Sequence, residues 1–502
     1  MSIPHDQREV AQVLQDLAGT EPIETHISAV FVGARTAWKL KKAVRLPFLD
    51  FTTIEARRHF LQRELELNQP AAPQIYRDVA AVVRDRDATL SLTTEPGEQP
   101  PLDWVLRMAP VPKGDFLDAI AARDGLAPAL LDALGDCVAA YHAGTRPVSG
   151  WDSPGSLLQV ANGSVVSARA AALPAPTVQG WLERARLALH ERGPWLAERA
   201  AAGFVRRAHG DLHLGNLCLW HGEPVPFDAL EFDEALATID VGYDLAFLLM
   251  DLDQRVSRGA ANRVLNRYVA RTGDAALTRG LAPFLSLRAM VLAHVKAAAG
   301  QPAEGHRYLD AALDYLYPRP ALLLAIGGLQ GTGKSTLARI LASELGAAPG
   351  ALMLRSDEIR KRLFGAAPEQ RLPAAAYAEA ASTAVSRELV GLAQAVAAGG
   401  HAVIADATFL DHDLRTRIAA AAWAAGVPFV GVWLHAPLAV LEARLAERRN
   451  DASDATVAVL RHAAARDPGP MDWLEVDACN AGLAATAIRQ AIAAKAAAPR
   501  RR

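Results

Sequence analysis

The 502-residue chain has few of the features that mark secreted, metal-binding or membrane-spanning proteins. Its three cysteines, Cys137, Cys218 and Cys479, are far apart and have neither metal-ligand nor disulfide-framework spacing, so small buried side chains are expected there. The N-terminal segment MSIPHDQREV lacks the apolar core of a signal peptide. No apolar run approaches the length of a membrane span, and the best, Ala246–Met250, is far too short. These absences predict a cytoplasmic protein with no membrane partner.

Charge of either sign is not in excess. The formal net charge is −2 and the pI is about 6.7, so no general attraction to nucleic acid or to a membrane surface is expected. The length predicts two or three domains. Two prolines in Tyr317-Pro-Arg-Pro320 end a helical stretch, Arg307–Leu316, and we therefore expect one domain at 1–317 and another at 318–502. No sequence feature indicates the oligomeric state.

The second predicted domain opens with a glycine-rich loop between an apolar strand and an amphipathic helix. The run GLQGTGKS, from Gly328 to Ser335, matches the phosphate-binding pattern G-x-x-x-x-G-K-[ST]. Glycines let the backbone N–H groups point at phosphate oxygens, and the following helix adds a partial positive charge. Lys334 is expected at the β- and γ-phosphates of ATP and the Ser335 hydroxyl at Mg²⁺. The predicted nucleotide-binding residues are Gly328, Gly331, Thr332, Gly333, Lys334, Ser335 and Thr336.

The rest of this domain alternates strands with helices, which predicts an α/β fold with a parallel sheet covered by helices on both faces. The predicted strands are Ala321–Ile326, Ala351–Leu354, Ala402–Ala405, Phe429–Leu434 and Trp473–Val476.

Acidic residues follow two of these strands. Ligands bind beyond the carboxyl ends of parallel strands, so Asp357 is placed to accept a hydroxyl proton from an acceptor. Arg360 lies on the same helix face and is expected to keep Asp357 ionised at neutral pH. A helix-capping role for Asp357 is the alternative. Asp406 ends the third strand, where an acid next to a phosphate loop is the usual Mg²⁺ partner.

An arginine-rich helix follows in Leu441–Asn450, with Arg444 and Arg448 one turn apart. These arginines are candidates for a lid that neutralises the transferred phosphoryl group, and a solvated helix with Glu–Arg pairs is the alternative. The order of these motifs resembles the P-loop kinases, among them polynucleotide 5′-kinases, zeta-toxin-like kinases and chloramphenicol phosphotransferase-like enzymes, over about residues 320–495. That resemblance implies that Asp357 is the acceptor-activating base, that Arg360 contacts the acceptor, and that Arg444 or Arg448 touches the phosphoryl group.

The first predicted domain has a second kinase-type pattern. His209-Gly-Asp211-Leu-His-Leu-Gly-Asn216 has the Asp and Asn spacing of a kinase catalytic loop, in which Asp211 takes the acceptor proton and Asn216 binds Mg²⁺. Asp228, about a dozen residues on, fits the second Mg²⁺-binding acid. A polar turn is the alternative interpretation of the loop.

Upstream, Ala29–Val32 and Thr36–Leu40 are predicted strands, and the second brings Lys39 and Lys41 to one face. One of these lysines is expected to pair with ATP phosphates, with a carboxylate of the predicted helix Thr53–Asn68 as its partner. Glu64 is the residue that resembles the glutamate which this helix supplies in kinases. The spacing does not choose between the lysines, and a solvated hairpin edge is the alternative.

This order resembles aminoglycoside phosphotransferases and related choline or sugar kinases, over about residues 20–300. It implies an α+β protein-kinase-like fold with an N-lobe at about 20–108 and a C-lobe at about 109–317. The whole chain is similar to a bacterial bifunctional family in which such a domain is fused to a P-loop kinase domain.

We therefore expect a Mg·ATP-dependent phosphotransferase that acts on small hydroxylated molecules at two sites. A regulatory ATP-binding protein with weak turnover is one alternative. A nucleic-acid 5′-end kinase in the second domain is another alternative. It is ranked lower because no aromatic residues for base stacking are interleaved with the basic residues Arg355, Arg360, Lys361 and Arg362.

Overall fold

The computed structural model describes residues 2–46, 49–447 and 453–497, which pack into two compact units. The first unit comprises Met1–Leu126, Ala140–Ser153 and Ala197–Leu248. The second comprises Ala127–Ala139, Pro154–Leu196 and Leu249–Arg502. The units therefore interleave along the sequence, and the predicted domain division after residue 317 stays a prediction.

The elements are numbered in chain order. The strands are β1 Ile23–Glu24, β2 Ser28–Val32, β3 Ala37–Lys41, β4 Arg45–Leu46, β5 Leu49–Asp50, β6 Tyr76–Arg84, β7 Leu90–Thr93, β8 Asp103–Met108, β9 Val205–Arg207, β10 Leu217–Trp220, β11 Glu223–Pro226, β12 Thr238–Asp240, β13 Leu323–Gly328, β14 Leu352–Arg355, β15 Val403–Asp406, β16 Phe429–His435 and β17 Leu474–Asp477. The α-helices are α1 Arg8–Ala18, α2 Ile54–Asn68, α3 Leu117–Arg123, α4 Pro128–Gly144, α5 Ser153–Ala170, α6 Ala175–Ala201, α7 Glu234–Ala237, α8 Val241–Arg255, α9 Arg258–Thr272, α10 Leu281–Ala298, α11 Pro302–Tyr315, α12 Lys334–Ala342, α13 Ser356–Leu363, α14 Glu379–Ala398, α15 His412–Ala424, α16 Leu438–Glu447, α17 Val457–Ala464 and α18 Ala481–Ala497.

The first unit contains an antiparallel sheet in the order β1-β2-β3-β8-β6-β7, with α2 packed against β6 and β8. Thr53 begins α2 by accepting a hydrogen bond from the Ala56 N–H. The side chains that α2 buries recur every three or four residues, which is the period of one helix face. Glu64 lies on that face, so the helix presents a carboxylate rather than an apolar group to β3. The expected α+β arrangement is confirmed, and its likeness to protein kinases stays a prediction.

The second unit contains an all-parallel sheet in the order β14-β15-β13-β16-β17. The five predicted strands are confirmed, each within two residues at either end. Helices α12 and α18 pack together on the sheet, and so do α14 and α15, which confirms the α/β fold. Because parallel strands end at the same edge, the loop after β13 and the ends of β14 and β15 converge.

Two asparagines of α9 close the outer edge of this sheet at β14. Asn262 donates to the Ala351 carbonyl at 3.0 Å, and the Met353 N–H donates to the Asn266 side-chain oxygen at 2.6 Å. An open strand edge has unpaired backbone groups that favour pairing with another chain. Here α9 satisfies two of them, which ties this helix to the strand that precedes Asp357.

One stretch, Ala275–Ala298, is long and apolar enough to cross a membrane, with a mean hydropathy of 1.3. The expectation that no run approaches membrane length was therefore wrong. However, 56% of its most apolar window is buried inside the protein, as in the core helix of a globular fold. A buried core helix can be as long and as apolar as a membrane-spanning helix.

Candidate active sites

In the first unit, a network of two lysines and three carboxylates joins strand β3 to helix α2 and to the segment from Asp228 to Glu231. Glu64 is fully buried and accepts from Lys39 Nζ at 2.7 Å and from Lys41 Nζ at 2.9 Å. Lys39 also donates to Asp228 at 2.6 Å, and Lys41 donates to Glu231. The two lysines therefore share a face, as the strand alternation predicts.

The surroundings of the two lysines differ. Lys41 is completely buried, and its ammonium lies 5.3 Å from the Phe51 ring centroid. The Lys39 side chain is 12% exposed, and its partner Asp228 is 40% exposed. Only Lys39 thus bridges from Glu64 to a solvent-accessible acid. Sequence spacing gives no preference between the lysines, whereas this geometry places Lys39 at the open end of the network.

Opposing effects set the pKa values in this network. Burial lowers the pKa of Lys39, but Asp228, Glu64 and Glu231 outweigh it, so the pKa lies well above the ordinary value and the ammonium stays charged. Burial also raises the pKa of Glu64, which the lysines oppose. For Asp228, burial is outweighed by Lys39, and its pKa is lowered. Asp228 is therefore a carboxylate at neutral pH, as a Mg²⁺ ligand must be.

The loop from His209 to Asn216 brings Asp211 and Asn216 together. The Asn216 amide donates to the Asp211 carboxylate and to its carbonyl, each at 2.9 Å. Asp211 is 41% exposed at its side chain, so it remains open to an acceptor. This is the arrangement in which one group receives a proton and its neighbour binds a metal.

Asp244, at the start of α8, holds the backbone at the beginning of the His209–Asn216 loop. It is fully buried and accepts from the backbone N–H groups of His209 at 3.0 Å and Gly210 at 2.9 Å, and His142 approaches it at 3.1 Å. Gly210 adopts φ +83°, where a Cβ would lie 3.0 Å from Leu230. The sequence interpretation did not assign a role to Asp244, although an acid within the apolar run of α8 is a signal, because burying it unpaired is costly.

Asp228 is presented by an unusual backbone conformation. It has a φ of +60°, uncommon for a residue with a side chain, and its N–H donates to the Tyr76 hydroxyl at 3.0 Å. Asn68 accepts from the next N–H, that of Ala229, at 2.8 Å. Such strain persists where neighbouring groups hold it, often at functional sites. Among the described residues no group of three or more His, Cys, Asp or Glu side chains forms a ready metal site, so a metal here would need Asn216 and phosphate oxygens as further ligands.

In the second unit the glycine-rich loop has the shape of a phosphate cradle. Gly328 has φ +136° and Gly331 φ +86°, and a Cβ on either would lie 2.5 or 2.8 Å from a backbone carbonyl oxygen, so both positions require glycine. Lys334 begins α12 and its Nζ folds back onto the carbonyls of Gly328 and Leu329, both at 2.9 Å. The loop and the helix terminus therefore fit the phosphates of a nucleotide.

Ser335 and Asp406 meet at the end of β15. The Ser335 hydroxyl donates to Asp406 at 2.5 Å, and Arg355 Nε lies 3.5 Å from the same carboxylate. Asp406 is 5% exposed. A hydroxyl and a buried carboxylate side by side are oxygen donors that suit Mg²⁺ held partly by phosphates. The two predicted Mg²⁺ partners therefore lie side by side.

Asp357 and Arg360 line a cavity of about 500 Å³ together with the phosphate loop. Helix α13 begins at Ser356, with Arg355 as its N-cap and no side-chain capping bond. Asp357 therefore lies inside the first turn and does not cap the helix. Arg360 donates to the Ala376 carbonyl at 2.6 Å and lies over the Tyr377 ring.

The pKa of Asp357 is raised by burial, which Arg355 opposes and the nearby Asp406 reinforces. The sequence interpretation expected Arg360 to keep this acid ionised. The cations that lower its pKa are instead Arg355 and, more weakly, Lys334. A carboxyl whose pKa is raised towards neutrality is a stronger proton acceptor once ionised.

An ion pair that the sequence interpretation missed connects α13 to Asp454, which also binds the segment containing Leu372 and Tyr377. Asp454 accepts from Lys361 at 2.8 and 2.9 Å, from the Tyr377 hydroxyl at 2.6 Å and from the Leu372 N–H at 3.0 Å. Lys361 and Asp454 are 93 residues apart, so no local spacing reveals them.

Of the two predicted lid arginines, the structure describes Arg444. Arg444 donates to the carbonyls of Ala478 at 3.0 Å and Cys479 at 3.2 Å, and to Gly331 of the phosphate loop at 3.4 Å. It is therefore beside the loop, but it is not among the residues that line the cavity. Arg448 lies outside the described residues.

The chain has similarities to a family model, to a relative and to solved structures. The family model for an AAA domain matches residues 323–468. An uncharacterized protein of Mycobacterium tuberculosis (strain ATCC 25618 / H37Rv) is 29% identical over 474 residues, which cover 90% of each chain. A choline kinase from Cryptosporidium parvum Iowa II is 9% identical, with a TM-score of 0.40, over 62% of this chain and 95% of its own. A gluconokinase from Sinorhizobium meliloti 1021 is 19% identical, with a TM-score of 0.25, over 36% of this chain and 94% of its own. Residues 323–468, which include the phosphate loop, thus match the AAA domain model.

Proposed function

We propose that the chain is an ATP-dependent phosphotransferase with two active sites, each using Mg²⁺ and each transferring the γ-phosphate of ATP to a hydroxyl group of a small molecule. The observation that carries this proposal is the cavity in the second unit. One continuous space of about 500 Å³ is lined by Lys334 and Ser335, which suit phosphate and Mg²⁺, and by Asp357, which suits a hydroxyl acceptor.

In that cavity, Lys334 and the loop N–H groups bind phosphate, while Ser335 and Asp406 hold the metal. Asp357 accepts the proton of the attacking hydroxyl. Arg360 orients the acceptor: its Nε is buried with no hydrogen-bond partner among the described residues, so this N–H is available to an acceptor oxygen. Mg²⁺ neutralises charge on the phosphates when it is bound.

In the first unit, Lys39 holds the ATP phosphates, with Glu64 orienting it. Asn216 and Asp228 bind the metal, and Asp211 accepts the acceptor proton. Lys41 does not contact ATP in this proposal, because it is sealed between Glu64 and Glu231. We infer a cytoplasmic setting, where ATP is supplied.

Small acceptors are favoured over nucleic acid 5′ ends by the state of the basic residues near Asp357. Arg355 pairs with Glu358 at 2.8 Å, and Lys361 is 1% exposed and pairs with Asp454. Neither side chain is presented to solvent as a phosphate-backbone contact would require.

The test is a transfer screen with γ-labelled ATP over a bacterial metabolite extract. It compares the intact chain with Asp211→Asn, Asp357→Ala and the double variant. We expect labelled products that split into two sets, each lost in one single variant, and none in the double variant. Nucleotide binding without any labelled product from the intact chain would favour the regulatory alternative instead.

A further inference from the structure

The second compact unit contains another charged cavity, of about 510 Å³, that shares no lining residue with the cavity at the phosphate loop. Residues of α4, α9, α12, β14 and α13 line it, together with Pro368 and Glu369. All of these residues belong to the second unit. Arginine is the most frequent residue on its wall, which makes it unlike a gap between apolar surfaces.

Two arginines of α9 form the centre of this wall. Arg267 and Arg271 are one helical turn apart, so their side chains lie on one face. Each donates two hydrogen bonds, from Nε and Nη2, to the carboxylate of Asp136 in α4. The bonds from Arg267 are 2.5 and 2.6 Å long, and those from Arg271 are 2.6 and 2.8 Å long. Arg267 Nη1, which does not bind Asp136, lies 2.6 Å from Glu369, and Arg271 Nη2, which also binds Asp136, lies 3.2 Å from Glu369.

Glu369 therefore occupies an anion site made by two fixed guanidinium groups, with one carboxylate oxygen on each. The hydrogen bonds to Asp136 hold both groups in place. The Glu369 side chain is 40% exposed, so its ion pairs are screened by water and weakly held. A phosphate group has more charge and more acceptor oxygens than a carboxylate, and arginine pairs suit its geometry.

We propose that this cavity binds a small molecule that carries a phosphate group, and that the phosphate displaces the Glu369 carboxylate from Arg267 and Arg271. The adjoining cavity accommodates the remainder of the molecule. No covalent step is involved. The binding does not depend on either kinase activity proposed above.

Displacement of Glu369 has a consequence at the phosphate-loop cavity. Glu369 lies in the segment between α13 and α14, and Arg371, Leu372 and Tyr377 of the same segment line the phosphate-loop cavity. Only one residue, Gln370, lies between Glu369 and Arg371. A ligand that releases Glu369 therefore loosens the segment over Asp357, and this part of the inference rests on the proposed function.

The test measures binding of inorganic pyrophosphate by calorimetry to the intact chain with Lys39→Met and Lys334→Ala, which remove the lysines of both predicted ATP sites. We expect saturable binding. Glu369→Gln in this background should tighten it about tenfold, because the competing carboxylate is gone, and Arg271→Gln should weaken it about tenfold or more. Arg489→Gln is the matched control, since Arg489 pairs with Glu344 outside the cavity.

Melting temperatures verify that each variant is folded. Absence of pyrophosphate binding in the background protein overturns the proposal, and so does an affinity that Glu369→Gln leaves unchanged. Limited trypsin digestion tests the coupling: pyrophosphate should speed cleavage after Arg371 in the background protein and not in Arg271→Gln. Tight binding with unchanged cleavage would retain the site and refute the loosening of the segment. All of these results are obtained whether or not the chain transfers phosphate.

Discussion

The buried charge network of the first unit predicts different effects for the replacement of its two lysines: loss of stability for Lys41, and loss of ATP binding for Lys39. Lys41 is fully buried between Glu64 and Glu231. Lys41→Met keeps the volume and removes the charge, which leaves two carboxylates without their shared cation. Lys39→Met instead removes the lysine at the open end of the network, next to Asp228.

Breaking a buried ion pair by removing one partner costs about 3–5 kcal/mol, because the remaining charge is buried and uncompensated. We expect Lys41→Met to lose stability in that range. The loss depends on pH in a definite direction. Without Lys41 the pKa of Glu64, already raised by burial, rises further, so the folded protein binds a proton more tightly than the unfolded chain does. The deficit is therefore largest at high pH and shrinks as the pH falls towards that raised pKa.

Chemical denaturation of the intact chain from pH 6 to pH 9 measures this loss, and calorimetry with Mg·ATP on chains that also carry Lys334→Ala measures nucleotide binding at the first site. Lys39→Met should lose ATP binding at a smaller cost in stability. Lys41→Met with Glu231→Gln should recover part of the lost stability, since one uncompensated carboxylate is removed.

The reasoning is refuted if Lys41→Met unfolds at the same denaturant concentration as the unaltered chain at every pH. It is equally refuted if Lys39→Met binds ATP normally while folded Lys41→Met does not. That second result would assign the phosphate contact to the enclosed lysine.

Three further outcomes are expected. Lys334→Ala should abolish nucleotide binding by the second site without unfolding it, which calorimetry on a chain with Lys39→Met measures; unchanged affinity would contradict the phosphate-loop assignment. Asp211→Asn should leave ATP binding in the first unit nearly intact and lower transfer by orders of magnitude, because proton acceptance matters in the transition state; equal turnover would exclude Asp211 as the base. Asp357→Ala should remove transfer at the second site and change the nucleotide affinity by no more than a fewfold. In the unaltered chain, the transfer rate should fall with decreasing pH around a pKa above that of an ordinary aspartate, since burial raises the pKa of Asp357. A transfer rate that falls only around the pKa of an ordinary aspartate would argue against this role.

Local sequence patterns were sufficient where one element carries the signal. The five strands of the parallel sheet, the phosphate loop and the Asp211–Asn216 loop were predicted because apolar periodicity and short motif spacing encode them. Glu64 was predicted from the resemblance to kinases, whose corresponding helix supplies a glutamate to the lysine. The choice between Lys39 and Lys41 was not encoded, because both occupy the same face of β3 and only the contact with Asp228 separates them.

Residues that act across long sequence separations were missed for a physical reason. Lys361 and Asp454 form an ion pair 93 positions apart, and Asp136 lies 131 positions from Arg267. Such pairs depend on how helices pack, which single-sequence periodicity does not report. Asp244 is an intermediate case: its partners are 34 and 35 positions away, yet its own setting in an apolar helix was a usable signal.

The four-residue strand β14 is the element through which the separate features of the second unit meet. At one end Met353 is held by Asn266 of α9, on the same helix as the arginines that grip Glu369. At the other end Arg355 approaches Asp406, and Asp357 follows in the first turn of α13. Helix α9 therefore contacts the strand whose carboxyl end leads to the proposed base, although it precedes the phosphate loop by more than fifty positions in the sequence. Without α9, a fragment beginning after residue 317 would lose the two side-chain partners of the backbone at β14, and we expect it to have an open strand edge there.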